Sequence, residues 1–274
     1  MAPYLDFQYL ARQNTALALG FSEPGATADL VGQALANGRV LTAFQPVAAA
    51  RNHRIAFFEC LARIQKPSGE VIEAGMFMPA INDTDLVTRI DCAILAKACA
   101  VLAGDPVRRL SVNISPKTLG DPRWLAILEQ AVAKNPACGD LLIVEITESS
   151  VLSLTPKSLE FLYRIRQLGC SIAIDDFGAG HSSLQHLGRF RFDFLKIDGT
   201  FIRDVSRNED HQFLIKSMVS IAQHFEMVTV AEMVGSDADR ARLADYGVDC
   251  VQGYGIGKPE LFPDWLRQDE GARG

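Results

Sequence analysis

The chain has 274 residues, of which 48% are hydrophobic and 22% are charged. This composition is typical of a globular protein with a large core, and it excludes the disordered and fibrous classes. The formal net charge of −6 disfavours general adhesion to a nucleic acid polymer or to an anionic membrane. It leaves open a small phosphate ligand that binds through metal ions.

Six cysteines are scattered along the chain without a CxxC pair, which indicates reduced and buried thiols in a cytosolic protein. The first residues show no basic region followed by an apolar one, as a signal peptide would. No uninterrupted apolar run approaches the roughly 20 residues that a membrane-spanning helix needs. We therefore expect a cytoplasmic protein without membrane insertion.

Residues 1–28 differ from the rest of the chain. They include most of the run FSEPGATAD, whose Pro, Gly and Ser are typical of a linker. Such a leader could connect the chain to a partner or to an upstream domain, and a poorly ordered tail is the alternative. We expect one domain at residues 29–266, because a single α/β barrel takes about 250 residues, followed by a tail at 267–274.

The domain is predicted to begin with a short helix from Asp29 and to continue with a β-hairpin, Leu41–Ala48 and Arg54–Cys60. Helices are then predicted at 85–102, 122–134, 156–168, 211–225 and 236–246. They alternate with strands predicted at 108–115, 141–148, 171–176, 193–198, 227–232 and 248–254. Eight strands alternating with helices predict an α/β fold, a (β/α)₈ barrel of the TIM type. Because a tight turn joins the first two strands, the barrel is a modified form with an antiparallel first strand.

The run SIAIDDFGAG, Ser171 to Gly180, places two adjacent carboxylates at the end of a buried strand. Asp175 and Asp176 would repel each other unless one is protonated or a cation offsets both charges. For either acid taken alone, capping of the next helix is the alternative.

Polar side chains end nearly every predicted strand, and in a barrel of this type the strand ends surround one mouth. The residues are Glu59, Asn113, Glu145, Glu148, Asp175, Asp176, Lys196, Asp198, Glu232 and Gln252. Such an oxygen-rich set suits Mg²⁺, Mn²⁺ or Ca²⁺, whereas no His or Cys cluster indicates zinc. We infer one such ion, or two; with two, a bridging water would attack a phosphodiester.

Three polar or charged residues at or near the predicted strand ends also have a simpler structural interpretation. Lys196 could simply neutralise the acids around it. Asn113 could hydrogen-bond the backbone of a loop. Arg63, four residues after Glu59, could be a solvated surface charge.

The run FFECLAR, with Glu59-Cys60-Leu61 at its centre, resembles the signature of the EAL domain family, the phosphodiesterases that act on the bacterial second messenger cyclic di-GMP. The resemblance extends from about Leu30 to Phe262, with each block in the family's order and spacing. The other matching blocks are FQP (44–46), SVNIS (111–115), VEITES (144–149), DDFGAGHSSL (175–184), LKID (195–198), VAE (230–232) and QGYGIGKP (252–259).

The resemblance implies a metal site that uses Mg²⁺ or Mn²⁺, with Ca²⁺ as a non-productive or inhibitory ion. The residues that match the family's ligands are Glu59, Asn113, Glu145 and Asp175 for one ion, and Asp176 with Glu232 for a second. Glu232 is also the candidate general base, acting through the shared water.

Other positions match residues that handle the substrate. Lys196 matches the lysine that orients the catalytic water or steadies charge on the scissile phosphate. Glu148 matches an acid that holds the loop after Asp176 in place. The substrate-binding positions are Gln45, Leu61, Arg63, Asp198 and Gln252, of which Arg63 suits a phosphate through its forked donors.

Departures from the family pattern bear on activity more than on fold. Cys60 replaces the alanine of the tripeptide. The family's AEGVE becomes Ala231 to Gly235, which loses an acid near the lysine, and FIPLAEETG becomes Phe77 to Asp85, which loses a glutamate and a glycine. His181 stands where tyrosine is usual, in the loop that couples metal binding to dimer contacts in the family.

These observations predict metal-dependent hydrolysis of cyclic di-GMP to linear pGpG. The alternative is a receptor that binds cyclic di-GMP, hydrolyses it slowly or not at all, and signals by occupancy. A barrel lyase or sugar hydrolase would rest on fold analogy alone. The resemblance also implies a homodimer through the side of the barrel and leaves room for an upstream sensory partner.

Overall fold

The computed structural model describes residues 24–105, 107–179, 187–188 and 190–266. The predicted tail, most of the predicted leader, and His181 lie outside these residues. Within them, none of the helices combines the length and the apolar character needed to cross a bilayer.

The described residues form nine strands, which make one sheet. Eight of them close into a barrel in the order β1-β2-β4-β5-β6-β7-β8-β9, and β3 pairs with the last residues of β2, beyond those that pair with β4. The strands are β1 (Val40–Ala49), β2 (Ile55–Gln65), β3 (Val71–Glu73), β4 (Leu110–Asn113), β5 (Leu142–Thr147), β6 (Ser171–Phe177), β7 (Phe194–Ile197), β8 (Val228–Ala231) and β9 (Cys250–Gln252).

Helices lie between most of the strands, as the alternating pattern predicts. They are α1 (Pro24–Ala36), α2 (Ala74–Ile81), α3 (Asp85–Gly104), α4 (Pro122–Lys134), α5 (Ala137–Leu141), α6 (Glu148–Leu152), α7 (Pro156–Gln167), α8 (Gly199–Ile202), α9 (Glu209–His224) and α10 (Asp237–Asp245).

The first strand runs antiparallel to both of its barrel neighbours, β2 and β9, whereas the other barrel pairs are parallel. This confirms the modified (β/α)₈ barrel. The cause is the tight turn after Ala49, which returns the chain along β1 and pairs Gln45 with Glu59.

Several predicted boundaries are wrong. The first helix, Pro24–Ala36, already includes the residues before the predicted start at Asp29, and Thr27 in this added turn is buried. The second strand runs on to Gln65 because it also pairs with β3, a strand too short to show an alternating pattern. The fourth strand ends at Asn113 because Ser115 turns away to bind Asp91 on α3.

The barrel interior holds a layer of apolar side chains that is separate from the main core between barrel and helices. The layer contains Val47, Phe57, Ile143, Ala173, Phe194, Val230 and Cys250. Side chains alternate along a strand, so the residue two positions on faces the same interior.

On β4 the residue at the level of this layer is Ser111. Two positions closer to the mouth, each of the eight barrel strands contributes a polar residue, either within the strand or directly after it. We call this set the polar ring; on the antiparallel β1 the step runs backwards, from Val47 to Gln45. The polar ring consists of Gln45, Glu59, Asn113, Glu145, Asp175, Lys196, Glu232 and Gln252.

Candidate metal centre

Lys196 lies at the centre of the polar ring and is 1% exposed. Its Nζ is 2.7 Å from Glu145 Oε2, 2.7 Å from Glu232 Oε1 and 3.0 Å from Asp175 Oδ1. Glu59 Oε2 is farther away, at 3.8 Å. One buried ammonium therefore faces four carboxylates that come from four different strands or strand ends.

Glu59 is held from the other side by two amides. Asn113 Nδ2 donates to its Oε1 at 2.6 Å, and Gln252 Nε2 donates to its Oε2 at 2.6 Å. Gln45 lies next to Gln252, with 3.4 Å between Gln252 Nε2 and Gln45 Oε1, and its own Nε2 donates to the Gly257 carbonyl at 3.2 Å. Both oxygens of the Glu59 carboxylate thus have a donor.

Three acids converge beyond Lys196. A carboxylate oxygen from each of Asp175, Asp176 and Glu232 lies within 4.8 Å of the others. Asp176 has a backbone φ of 56°, a left-handed conformation that non-glycine residues rarely adopt. Asp176 is also exposed, whereas Asp175 is buried. The two adjacent acids therefore lie in different surroundings.

Burial dominates the electrostatics of the acids. It raises the pKa of Glu145 to about 8, with Lys196 opposing the shift and Glu59 and Asp175 adding to it. Burial likewise raises the pKa of Glu232 well above its ordinary value, although Lys196 opposes this too. Burial alone would lower the pKa of Lys196, but the surrounding carboxylates hold it well above its usual value. The single lysine does not offset all the acids.

The oxygen atoms of the polar ring suit a divalent cation as ligands. Glu145 Oε1 is buried, and no hydrogen-bond donor among the described residues reaches it. A buried polar oxygen without a partner costs free energy, and a hard cation is a partner that a carboxylate oxygen accepts. The polar ring therefore could hold a metal ion next to Lys196.

Glu148 lies on the first turn of α6 and is buried. Its Oε2 accepts a hydrogen bond from Gly178 N at 3.0 Å, two residues after Asp176. Gly178 has a φ of 96°, and a Cβ there would lie 2.7 Å from Met218 and Phe201 atoms. The Glu148 contact therefore anchors the turn that follows the paired aspartates.

The other predicted substrate-binding residues surround the polar ring. Leu61 and Arg63 follow Glu59 at two-residue steps on β2, so they lie on the same face. Arg63 is buried and its Nη1 donates to the Ala62 carbonyl at 3.0 Å. Asp198 follows β7 and caps α8, accepting from Thr200 N at 2.8 Å.

A cavity of about 690 Å³ opens beside the acids and is lined by Leu61, Asn113, Asp175 and Asp176. Asn82 and Asp83, from the segment that departs from the family pattern, line the same cavity. So do Asp91, Ser115 and Lys117, which sequence reasoning missed. An acid within a helix gives no sequence signal that it faces a cavity.

The sequence model of the EAL domain matches residues 29–259. Cyclic di-GMP phosphodiesterase PdeF of Escherichia coli (strain K12) is 32% identical over 245 residues, which are 88% of this chain and 32% of PdeF. The chain thus spans about a third of the length of this curated relative.

Solved structures share the fold. The structure titled PaMucR phosphodiesterase, c-di-GMP complex, has a TM-score of 0.80 at 28% identity and covers 88% of this chain and 100% of its own. The EAL domain of Xanthomonas citri FimX, solved in complex with c-di-GMP, has a TM-score of 0.78 at 26% identity and covers 86% of this chain and 94% of its own.

Proposed function

This chain belongs to the EAL domain family, and on that premise we propose that it is a metal-dependent phosphodiesterase that opens cyclic di-GMP to linear pGpG. The observation that carries the proposal is the polar ring, in which every barrel strand supplies one polar side chain around a buried lysine. Relatives named as cyclic di-GMP phosphodiesterases, at about 30% identity, support the substrate.

The ligand set is part of the proposal. Glu59, Asn113, Glu145 and Asp175 would hold one Mg²⁺ or Mn²⁺ ion, and Asp176 with Glu232 a second. Such an ion, when bound, polarises a phosphoryl oxygen and lowers the pKa of a coordinated water. Two observations support this assignment: no donor among the described residues reaches Glu145 Oε1, and Asp175, Asp176 and Glu232 approach one another closely.

Lys196 and Glu232 would act on the reacting groups. The Lys196 ammonium is fixed by carboxylates on three sides, so it keeps its charge and can steady the anionic phosphate. Glu232 contacts Lys196 at 2.7 Å and keeps 18% of its side chain exposed. It can therefore take a proton from water at the mouth of the barrel.

The substrate would lie across the mouth. Arg63 offers a forked guanidinium to a phosphate, while Leu61 gives an apolar contact beside the cavity. Gln45, Gln252 and Asp198 would bind the remaining polar groups. Glu148 would keep the turn after Asp176 in place through Gly178.

A second candidate is a receptor that binds cyclic di-GMP with little or no turnover. Gly235 favours it, because the acid that the family pattern places there is missing. Asn82 and Asp83, which belong to the second altered segment, line the cavity beside the acids. Either change could slow the reaction without preventing binding.

The test is incubation of the purified chain with cyclic di-GMP and either Mg²⁺ or Mn²⁺, followed by chromatography. Appearance of pGpG supports the enzyme. No pGpG with either ion contradicts it, and tight binding in Ca²⁺ without turnover in Mg²⁺ or Mn²⁺ selects the receptor. Absence of any cyclic di-GMP binding rejects both.

Three further expectations belong to the proposal: a homodimer through the side of the barrel, an upstream partner, and a cytoplasmic location. The location is supported by the six free cysteines, of which Cys60, Cys99, Cys138, Cys170 and Cys250 are buried. Light scattering of the purified chain measures the oligomeric state, and a monomer at all concentrations would contradict the dimer. The proposed domain, residues 29–266, includes the family match over residues 29–259.

A further inference from the structure

Asp91 is a buried carboxylate on α3 that the reaction described above does not use. Its Oδ2 accepts three hydrogen bonds: from Ser115 N at 2.9 Å, from Ser115 Oγ at 2.6 Å and from Thr118 Oγ1 at 2.7 Å. The Thr118 hydroxyl also lies 3.1 Å from that of Thr88, one turn earlier on α3. One carboxylate oxygen thus ties a helix to the loop that follows β4.

That loop begins where the backbone hydrogen bonds of the sheet end. Asn113 is the last residue of β4, and Ile114 N still donates to the Glu145 carbonyl at 3.0 Å. The next N–H, that of Ser115, donates to Asp91. Asp91 is therefore the first hydrogen-bond partner of the chain beyond the sheet. It holds Ser115, which lies two residues after Asn113, whose side-chain amide donates to Glu59 at 2.6 Å.

Burying the Asp91 carboxylate costs free energy of folding. Burial raises the pKa of Asp91 to about 6, although the hydrogen bonds from Ser115 and Thr118 oppose the shift. A purely structural contact at this place could be made by apolar packing, which often stabilises as well as a buried charge does. An apolar side chain, however, could not accept the hydrogen bond from Ser115 N, and so could not fix the direction in which the chain leaves β4.

We propose that Asp91 is a positioning residue for the metal centre: by holding the Ser115–Thr118 loop, it keeps the Asn113 amide against Glu59 and so sets the metal affinity without touching the ion. The inference rests on the proposed metal-dependent function. Partners that orient metal ligands in this way typically change metal affinity about 10–100-fold when they are removed.

The chain offers a matched control at the other end of the barrel. Asp249 Oδ2 accepts from Thr229 N at 2.9 Å and from Thr229 Oγ1 at 2.8 Å, the same pair of donors that Ser115 gives to Asp91. Thr229 lies near the start of β8, whereas the polar ring residue Glu232 follows the end of that strand. Asp249→Ala therefore removes equivalent hydrogen bonds far from the ring.

The experiment titrates Mn²⁺ alone into the full chain by calorimetry, for wild type, Asp91→Ala, Asp91→Asn and Asp249→Ala, and records the Tm of each. We expect Asp91→Ala to raise the Mn²⁺ Kd at least about tenfold. Asp91→Asn keeps an acceptor for Ser115 N, so its Kd should rise less. Asp249→Ala should lower Tm but leave the Kd within about twofold, a split that a general loss of stability would not give.

Equal Mn²⁺ affinity in wild type and Asp91→Ala overturns the inference while leaving the proposed function intact. If Asp91→Ala does not fold, Asp91→Asn and Thr118→Val decide in the same way, and unchanged Kd values in both overturn it. Loss of cyclic di-GMP binding with unchanged Mn²⁺ affinity also overturns it, because Asp91 would then contact the ligand. A wild type that binds no Mn²⁺ contradicts the proposed function itself.

Discussion

Glu145 and Lys196 form an ion pair of 2.7 Å in which neither side chain reaches water. The lysine is shared with Asp175 and Glu232, so each acid receives only part of its charge. A change in the charge of Lys196 or of these acids should therefore alter both the stability of the barrel and the reactivity of the polar ring.

Replacing Lys196 by methionine removes the one buried cation of the polar ring and leaves several carboxylates without compensation. We expect the free energy of unfolding at pH 8 to fall by about 3–5 kcal/mol, the usual cost of breaking a buried pair. The loss should be smaller at pH 5, where the acids take up protons. Urea denaturation at both pH values measures it.

Lys157→Met is the control, because Lys157 is exposed on α7. It should change stability by no more than about 0.5 kcal/mol. An equal effect of the two substitutions would mean that Lys196 is not the charge that holds the acids together.

Without metal, stability should fall as the pH rises from about 4 to 8. The pKa of Glu145 is raised from 4.5 to about 8 and that of Asp91 from 3.8 to about 6, both mainly by burial. Between the ordinary and the raised values the folded chain binds more protons than the unfolded chain, so raising the pH favours unfolding. Urea denaturation in a chelator at unit steps of pH tests this.

Mn²⁺ should reverse the trend at pH 8, because metal ions bind the deprotonated carboxylates. Stability that rises with pH in the chelator, or that Mn²⁺ leaves unchanged at pH 8, would contradict the assignment of these acids.

Met233 has a φ of 55° and is 67% exposed directly after Glu232. A left-handed backbone costs a side-chain-bearing residue about 1–2 kcal/mol, and the greater freedom of unfolded glycine offsets part of the gain. Met233→Gly should therefore raise the free energy of unfolding by roughly 0.5–1 kcal/mol. Met76→Gly, within α2, should lower it by at least about 1 kcal/mol, since Met76 also packs against the core. Destabilisation by both changes would refute the strain at Met233.

Gly235 occupies the place of the missing acid, and a Cβ built there meets nothing within 4 Å among the described residues. Gly235→Glu should therefore fold normally. If the missing acid limits catalysis, kcat/KM should rise about tenfold, which corresponds to about 1.4 kcal/mol and to one charged hydrogen bond. Gly25→Glu, at an equally open position on α1, should leave kcat/KM unchanged; a similar change in both would show that added charge alone is responsible.

The sequence predicted the barrel because alternation and turn chemistry are local, as the hairpin from β1 to β2 illustrates. It also predicted which residues meet at the mouth, since the ends of parallel strands such as β5 and β6 must surround it. The alternation of side chains along β2 likewise places Cys60 in the main core and Glu59 in the polar ring.

What the sequence could not give depends on contacts between distant segments. β3 has three residues, too few for any pattern. The role of Asp91 depends on its meeting Ser115, 24 residues later, and an acid in a helix is ordinarily read as part of a solvated face. The sharing of Lys196 among acids from separate strands likewise follows from closure of the barrel.

The central claim is that the polar ring is a metal-dependent phosphodiester site, and the most direct measurement is pGpG formation from cyclic di-GMP in Mn²⁺. Wild type and Glu160→Gln, altered at an exposed position on α7, should form pGpG at equal rates, and a chelator should stop both. Glu59→Gln should lower kcat at least about 100-fold, as loss of a metal ligand would. Turnover that persists in the chelator, or a Glu59→Gln variant as active as Glu160→Gln, would contradict the account.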